Sequence, residues 1–211
     1  MVYILSDTTI EGAKRLPVIE QRFFDEKIDF ASYDYLIVTS KNALLAAERI
    51  DPSWKEIPLL AISDATAKKA LQMGAKVAYV GSSGYGDDLA NEIVRRFDPK
   101  KRYLYLRGKK VLSRLVPILK EAGFRVDERI VYETVCVECE GLEPPPKGST
   151  IIFSSPSTIE CFLRCFEWDE SYKAVAIGKK TASFFPHQIA LCPKPSLQEA
   201  VEFAKSLENR I

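Results

Sequence analysis

Runs of four to six apolar residues recur along the chain: "VYILS" from Val2, "YLIVTS" from Tyr35, "PLLAIS" from Pro58, "KVAYV" from Lys76, "YLYLRG" from Tyr103, "TIIFSS" from Thr150, "KAVAIG" from Lys173 and "QIALC" from Gln188. They are too continuous for half-exposed strands and suit parallel strands covered on both faces. Amphipathic segments lie between them: "NALLAAERI", "TAKKALQMG", "DDLANEIVRRF", "VLSRLVPILKEAG", "STIECFLRCF" and "SLQEAVEFAKSL". Strands alternating with helices predict right-handed βαβ units and an α/β fold. Local signals agree. Leu89, Ile93 and Phe97 share one helical face, with Asp87 and Asp88 at the positive end of the helix dipole and Arg95 and Arg96 at the negative end. Gly74 and Gly123 stand where helix C-caps are wanted. Pro117 predicts either a kink or a helix that begins at Arg114 and carries the proline in its first turn.

A repeat organises these units. "IVTSKNA" at 37 returns as "IFSSPST" at 152, and "AISDATAK" at 61 returns as "AIGKKTAS" at 176, both at the same 115-residue offset. A shared offset for two separate motifs points to a duplicated βαβ unit. The second copy has fewer following units, and the unpaired N-terminal strand "VYILS", similar in pattern to "YLYLR", completes its sheet. The chain then starts in one lobe, crosses to the other and returns. "RLPVIEQRFF" (15–24) and "RIVYETVCVE" (129–138), rich in β-branched and aromatic residues, are the crossings and suit an antiparallel ribbon. The expected architecture is two flavodoxin-like lobes with parallel sheets joined by a two-stranded antiparallel β ribbon. The first, discontinuous lobe takes 1–14 plus 140–211, the second takes 26–126, and the linkers are 15–25 and 127–139. The Pro-rich "GLEPPPKGS" is a turn back into the first lobe.

Composition narrows the function classes. With 211 residues and 46% hydrophobic content, the chain can bury substantial cores. A formal net charge of +1, without a basic block, argues against nucleic acid as the main partner. No apolar segment approaches the roughly 20 residues of a membrane span. "MVYILSDTT" lacks a basic n-region and a cleavage site, so the expected compartment is the cytoplasm. Five irregularly spaced cysteines fit reduced thiols better than a disulfide framework. "CVEC" (Cys136 to Cys139) has the C-x-x-C spacing of redox and zinc sites. In a strand-like setting, however, positions three apart face opposite ways, and no second C-x-x-C completes a zinc site.

"GSSGYG" (81–86) reads as a strand-to-helix turn in preference to an anion cradle, since it lacks both the P-loop ending and the dinucleotide spacing. His187 is the single histidine and follows Pro186 in a turn-like setting. With no G-x-S-x-G elbow present, Ser-His-Asp hydrolysis drops out. The paired hydroxyl loops are the stronger candidates: Thr39, Ser40, Lys41 and Asn42 in one copy, Ser154, Ser155 and Ser157 in the other. Both lie at the C-terminal ends of strands, where open parallel sheets bind ligands. Helix capping is the competing explanation for each loop alone. Thr66 and Thr181, from the second repeated motif, join them at what the two-lobe arrangement makes a cleft suited to an acidic ligand. Arg107, Gly108, Lys109 and Lys110, with Lys41 and Lys179-Lys180, suggest an electropositive slot for carboxylates, against the alternative of a solvated basic turn.

Taken in order, "VTSKNAL", "AISDATAKKALQMG", "YLYLRG", "FRVDERIVYET", "FSSPSTI" and "AIGKKTA" resemble the motifs of the uroporphyrinogen-III synthase family over nearly the whole chain. The resemblance implies two α/β lobes joined by a two-stranded ribbon. It implies an enzyme without metal or organic cofactor, a hydro-lyase that converts hydroxymethylbilane to uroporphyrinogen III with loss of water and inversion of the last ring, D, between the lobes. The route it implies ionises the hydroxymethyl group to an azafulvene, closes through a spiro intermediate and recloses after the ring turns. It further implies delivery of substrate by hydroxymethylbilane synthase, no nucleic-acid or membrane partner, and a monomer. Tyr132, in "VYET", matches the family's ribbon tyrosine and is the candidate catalytic donor to the departing hydroxide; cross-strand packing is its alternative role. The chain departs from the family in "DTTIEGAK", too short for the usual first helix, and at Lys180, which replaces the first Thr of a Thr-Thr pair and leaves Thr181. The reading from another class is a non-catalytic two-lobed module that clamps an anionic small molecule.

Overall fold

Side chains along a strand point alternately to opposite faces, and here both faces are apolar. Leu36 and Val38 enter one core while Ile37, between them, enters another; Leu104 and Leu106 join the first, Tyr103 and Tyr105 the second. The sheet therefore needs helices on both sides, which is the physical content of the continuous apolar runs.

The computed structural model describes residues 1–6 and 9–208. Its strands are β1 (Val2–Leu5), β2 (Lys14–Arg15), β3 (Ile19–Phe23), β4 (Tyr35–Val38), β5 (Leu59–Ala61), β6 (Val77–Val80), β7 (Arg102–Gly108), β8 (Arg125–Cys136), β9 (Thr150–Phe153), β10 (Lys173–Ala176) and β11 (Ala190–Leu191). The α-helices are α1 (Lys41–Ile50), α2 (Asp64–Gln72), α3 (Gly86–Arg96), α4 (Leu115–Glu121), α5 (Pro156–Cys165), α6 (Lys179–Ala182) and α7 (Leu197–Glu208). Among the described residues no helix is long and apolar enough to cross a membrane. The chain divides into two compact units, Met1–Glu20 with Thr134–Ile211, and Gln21–Glu133.

In the first unit the sheet order is β11-β10-β9-β1-β2, with every pairing parallel. The N-terminal strand joins β9 in the register Val2↔Thr150 to Leu5↔Phe153. Leu5, Ile151 and Phe153 pack under α5, while Ile4, Ile152 and Val175 pack under α7. Of "DTTIEGAK", Asp7 and Thr8 lie outside the described residues, and the rest forms no helix. In the second unit the order is β3-β8-β7-β4-β5-β6. Trp54 and helices α1 and α2 cover one face, α3 and α4 the other. Gly74 and Gly123 follow α2 and α4 with φ of 86° and 82°, a region that suits glycine at a helix end. Helix α4 begins at Leu115 and carries Pro117 in its first turn, so no kink is needed.

Three expectations change. β6 is an edge strand with only partial burial, because nothing pairs with its outer side. β8 is more than a linker. Arg125 to Tyr132 pair in parallel with β7, and the same strand meets β3, where Phe24 N–H donates to Val131 O at 3.0 Å and Val137 N–H donates to Val18 O at 3.1 Å. As one index rises the other falls, so this pairing is antiparallel, and the chain passes between the units on it. Finally, four cysteines are oxidised, as Cys136–Cys161 and Cys139–Cys165. Only Cys192 is a free thiol, buried with its Sγ on Lys194 O. β8 ends at Cys136, so the chain turns and presents Cys139 on the same side. Cys161 and Cys165, four apart on α5, are one helical turn apart and receive both. The argument for the cytoplasm from reduced thiols therefore falls away, since stable disulfides belong to oxidising surroundings.

Candidate functional site

The duplication survives in the capping geometry. Ser40 precedes α1 at Lys41–Ile50, and Ser155 precedes α5 at Pro156–Cys165, residue for residue at the offset seen in the sequence. Helix α2 starts at Asp64 and α6 at Lys179, again one offset apart. In each unit these turns follow strands that end level with one another: Val38 pairs with Ala61 and Leu106, and Phe153 pairs with Ala176. Each hydroxyl set thus lies along the C-terminal edge of a parallel sheet.

In the second unit, Ser40 Oγ accepts from Asn42 N–H at 3.1 Å, a helix cap that leaves the Ser40 proton to donate elsewhere. Lys41 is exposed, and Thr39, Ser40 and Asn42 are half-buried. Thr39 Oγ1 lies 3.0 Å from the phenol oxygen of Tyr105. Thr66 is buried beneath this edge, 3.5 Å from Ser63 Oγ, so its hydroxyl holds the start of α2 and is not presented at the surface. Arg107 does not serve as an open cation. Its Nε donates to Glu128 Oε2 at 2.6 Å, its Nη1 donates to the carbonyls of Gly108 and Lys109, and the side chain is 16% exposed. Lys109 pairs with Glu133 at 2.9 Å. The expected electropositive slot is to that extent neutralised within the unit. What the Arg107 bonds do is shape the turn after β7.

Gly108 fits that turn for a steric reason. A Cβ there would stand 2.9 to 3.1 Å from the ring and hydroxyl of Tyr132, its partner on β8. The phenol ring lies against the glycine, with Phe23 at a centroid distance of 6.5 Å on its other neighbour strand. Gly108→Ala is expected to push the ring off this seat and destabilise the second unit by about 1–3 kcal/mol, the range for overpacking. Urea unfolding followed by tyrosine fluorescence checks it; an unchanged midpoint means the ring moves without cost.

In the first unit, Ser154 Oγ donates to Leu5 O at 3.0 Å, tying β9 to the N-terminal strand. Ser155 N–H donates to Thr158 Oγ1 at 3.2 Å, and the Thr158 hydroxyl donates to Ser155 O at 2.6 Å, a reciprocal clasp on the first turn of α5. Ser157 is half-buried in that turn, and Thr181 is buried in α6 beside exposed Lys180. Ser154 thus has a structural duty and Thr181 is buried, while Ser155 and Ser157 are placed at the helix start.

The other motifs resolve as structure. Ser82, in "GSSGYG", donates from its N–H and hydroxyl to the Glu92 carboxylate, so the turn holds an internal anion. His187 stacks on Trp168 at 5.6 Å. Among the described residues no group of three or more His, Cys, Asp or Glu is placed to hold a metal ion. A recess of about 660 Å³ lined by Pro145, Trp168 and Tyr172 lies at the opposite, N-terminal ends of β9 and β10, away from the hydroxyl turns.

Sequence reasoning passed over Tyr105 and Ser113. The Tyr105 side chain is 2% exposed. Burial pushes its phenol up from its ordinary value, hydrogen bonds with Thr39 and Ser113 oppose that shift, and the nearby Tyr132 adds to it. The one sequence signal was the Y-x-Y alternation in "YLYLRG", which puts both tyrosines on one face.

Similarity to known proteins agrees with this organisation. The family described as uroporphyrinogen-III synthase HemD matches residues 12–191. Among solved structures, uroporphyrinogen-III synthetase from Helicobacter pylori 26695 is 30% identical, with 98% of each chain covered and a TM-score of 0.81. A mutant uroporphyrinogen III synthase from the extremely thermophilic bacterium Thermus thermophilus is 15% identical, with 94% of this chain and 90% of that one covered and a TM-score of 0.53, a likeness of fold. No curated protein matches the sequence. With a family match over most of its length and a structural relative at 30% identity across both chains, this chain belongs to the uroporphyrinogen-III synthase family.

Proposed function

We propose that the protein closes hydroxymethylbilane to uroporphyrinogen III, as a cyclising hydro-lyase. Family membership carries this reading, and the chemistry available at the two sheet edges supports it. The pyrrole nitrogen lone pair expels the terminal hydroxyl, the C–O bond breaks, and the hydroxide takes a proton and leaves as water. The resulting azafulvenium carbon is attacked by the substituted α-carbon of ring D, giving a spiro intermediate that fragments and recloses at the other α-carbon with loss of a proton. The substrate supplies most of the electronic drive, so the protein's task is to hold a flexible polycarboxylate in the geometry that favours spiro closure.

Hydroxyl and backbone N–H donors suit that task. Ser40 and Asn42 in the second unit and Ser155 and Ser157 in the first stand at the starts of ten-residue helices, where N–H groups and the dipole favour carboxylates. Thr39 and the exposed Lys41 add a hydroxyl and a cation. Tyr132 is proposed as the donor to the departing hydroxide, its ring seated on Gly108. Arg107, Gly108 and Thr66 shape the turns that carry these donors.

The test is the isomer formed. Hydroxymethylbilane left alone closes without inversion to the type I product. With the protein present, oxidation and chromatography are expected to return type III uroporphyrin as the main product. Type I alone, at the spontaneous rate, sinks the reading and leaves a binding module in its place.

A further inference from the structure

Two tyrosines project from one face of β7, and their hydroxyls do different work. Tyr103 donates to the backbone carbonyl of Asp98 at 2.8 Å, closing the turn that precedes the strand. Tyr105, two residues on, carries its hydroxyl to the other end of the sheet, 3.0 Å from the hydroxyl of Thr39 on the turn after β4, with Ser113, on the turn after β7, near enough to lower the phenol's pKa. A buried phenol costs free energy unless its hydroxyl is satisfied, and phenylalanine would fill the same core without that demand. The hydroxyl is therefore explained by what it orders, which is the Thr39 side chain at the proposed substrate edge.

The position of Ser113 is itself built. A Cβ at Gly86, the first residue of α3, would lie 2.6 Å from both Cβ and Oγ of Ser113. Only glycine lets the serine approach, and Asp87 holds the same loop by accepting from Arg114 N–H at 2.7 Å. The loop between β7 and α4 is thus seated on the start of α3, which fixes where the Ser113 hydroxyl stands.

Proton directions follow from counting. Each hydroxyl has one proton to donate and two lone pairs to accept with. The buried phenol stays protonated, because burial pushes it up from an already high value. If Thr39 donated to Tyr105, its lone pairs would face the ligand and repel a carboxylate. If Tyr105 donates to Thr39 and accepts from Ser113, the Thr39 proton is left to point outward, and each bond in the chain strengthens the next.

We infer that Tyr105 is a positioning residue: the chain Ser113→Tyr105→Thr39 fixes the Thr39 hydroxyl as a donor to a substrate carboxylate. This rests on the proposed synthase function and adds to it a residue that never touches substrate. Its effect is on binding of the ground state, so it enters through KM.

The experiment measures KM, kcat and the type III to type I ratio for the wild type, Tyr105→Phe, Thr39→Val and the double variant. Tyr105→Phe is expected to raise KM about three- to tenfold, the worth of one ordinary hydrogen bond, since Thr39 keeps its hydroxyl and loses only its fixed direction, with kcat changed less than about twofold. The type I share should rise at low substrate, where spontaneous closure competes. In the Thr39→Val background, Tyr105→Phe should change KM by less than about 1.5-fold, because the two residues act through one bond. An unchanged KM in Tyr105→Phe overturns the inference while leaving the synthase function standing, and so does a full multiplicative effect in the double variant. A wild type that makes only type I overturns both. Should Tyr105→Phe fail to fold, Ser113→Ala carries the test: a rise in KM that vanishes in the Thr39→Val background supports the chain, and no rise overturns it.

Discussion

Tyr132→Phe is expected to lower the rate of type III formation by about 10²- to 10⁴-fold, the usual contribution of a positioned proton donor, while the thermal midpoint stays close to that of the wild type. The two halves of this result have separate causes. The ring packs with Gly108 beneath it and Phe23 beside it, and phenylalanine keeps both contacts. The hydroxyl alone is removed. A phenol with an ordinary value near 10 is a weak acid, so it helps only as a hydrogen-bond donor held at the leaving oxygen, which is the kind of placement a seated ring provides. Stopped-flow or timed quench of hydroxymethylbilane consumption, with isomer analysis, separates this from slower spontaneous closure. A variant that retains more than about half the wild-type rate reduces Tyr132 to a packing residue, whatever its midpoint does.

The second large effect concerns the two disulfides. Without reductant, alkylation in denaturant followed by mass spectrometry is expected to label one cysteine of the five, Cys192; after reduction it should label all five. Cys136 and Cys161 are separated by 25 residues, and closing a loop of that size removes about 3–4 kcal/mol of unfolded-chain entropy. The Cys139–Cys165 bridge adds less, because the first bridge has already brought its ends together. Reduction should therefore lower the midpoint of the first unit by well over about 10 °C, at the roughly 4–8 °C per kcal/mol of a unit near 100 residues. The second unit has no cysteine and should hold its midpoint. Five labelled thiols before reduction would remove the bridges from the account. The staple also bears on function, because α5, which it anchors, begins with the Ser155 and Ser157 turn.

The neutralised cations carry a further lesson about the site. Arg107 and Lys109 looked, as sequence, like a slot for carboxylates. Glu128 and Glu133, on the neighbouring strand, are where their charges go. These residues are 21 and 24 positions away from them and meet only because β7 and β8 run side by side in register. With those two cations paired, the sheet edges carry hydroxyls, main-chain N–H groups at helix starts and the exposed ammonium groups of Lys41 and Lys179. Such a surface can grip a molecule with many carboxylates at several points without trapping it by any one.

Local patterns were sufficient for a large part of this protein. Apolar runs of four to six residues placed the strands because a strand covered on both faces has no polar side to show, and the 3.6-residue period placed the helices. The repeat offset paired Ser40 with Ser155 and α2 with α6, since duplication preserves spacing even after side chains diverge. Glycines at 74 and 123 announced helix ends because few other residues accept their backbone angles. Family motifs identified the chemistry for the same reason, being short and contiguous. Tertiary structure alone decided which cysteines join, which carboxylates silence Arg107 and Lys109, why Gly86 makes room for Ser113, and that Tyr105 reaches Thr39. Each of those depends on a distance between residues far apart in the chain. Such distances are set by strand register and helix placement, which no local window of sequence contains.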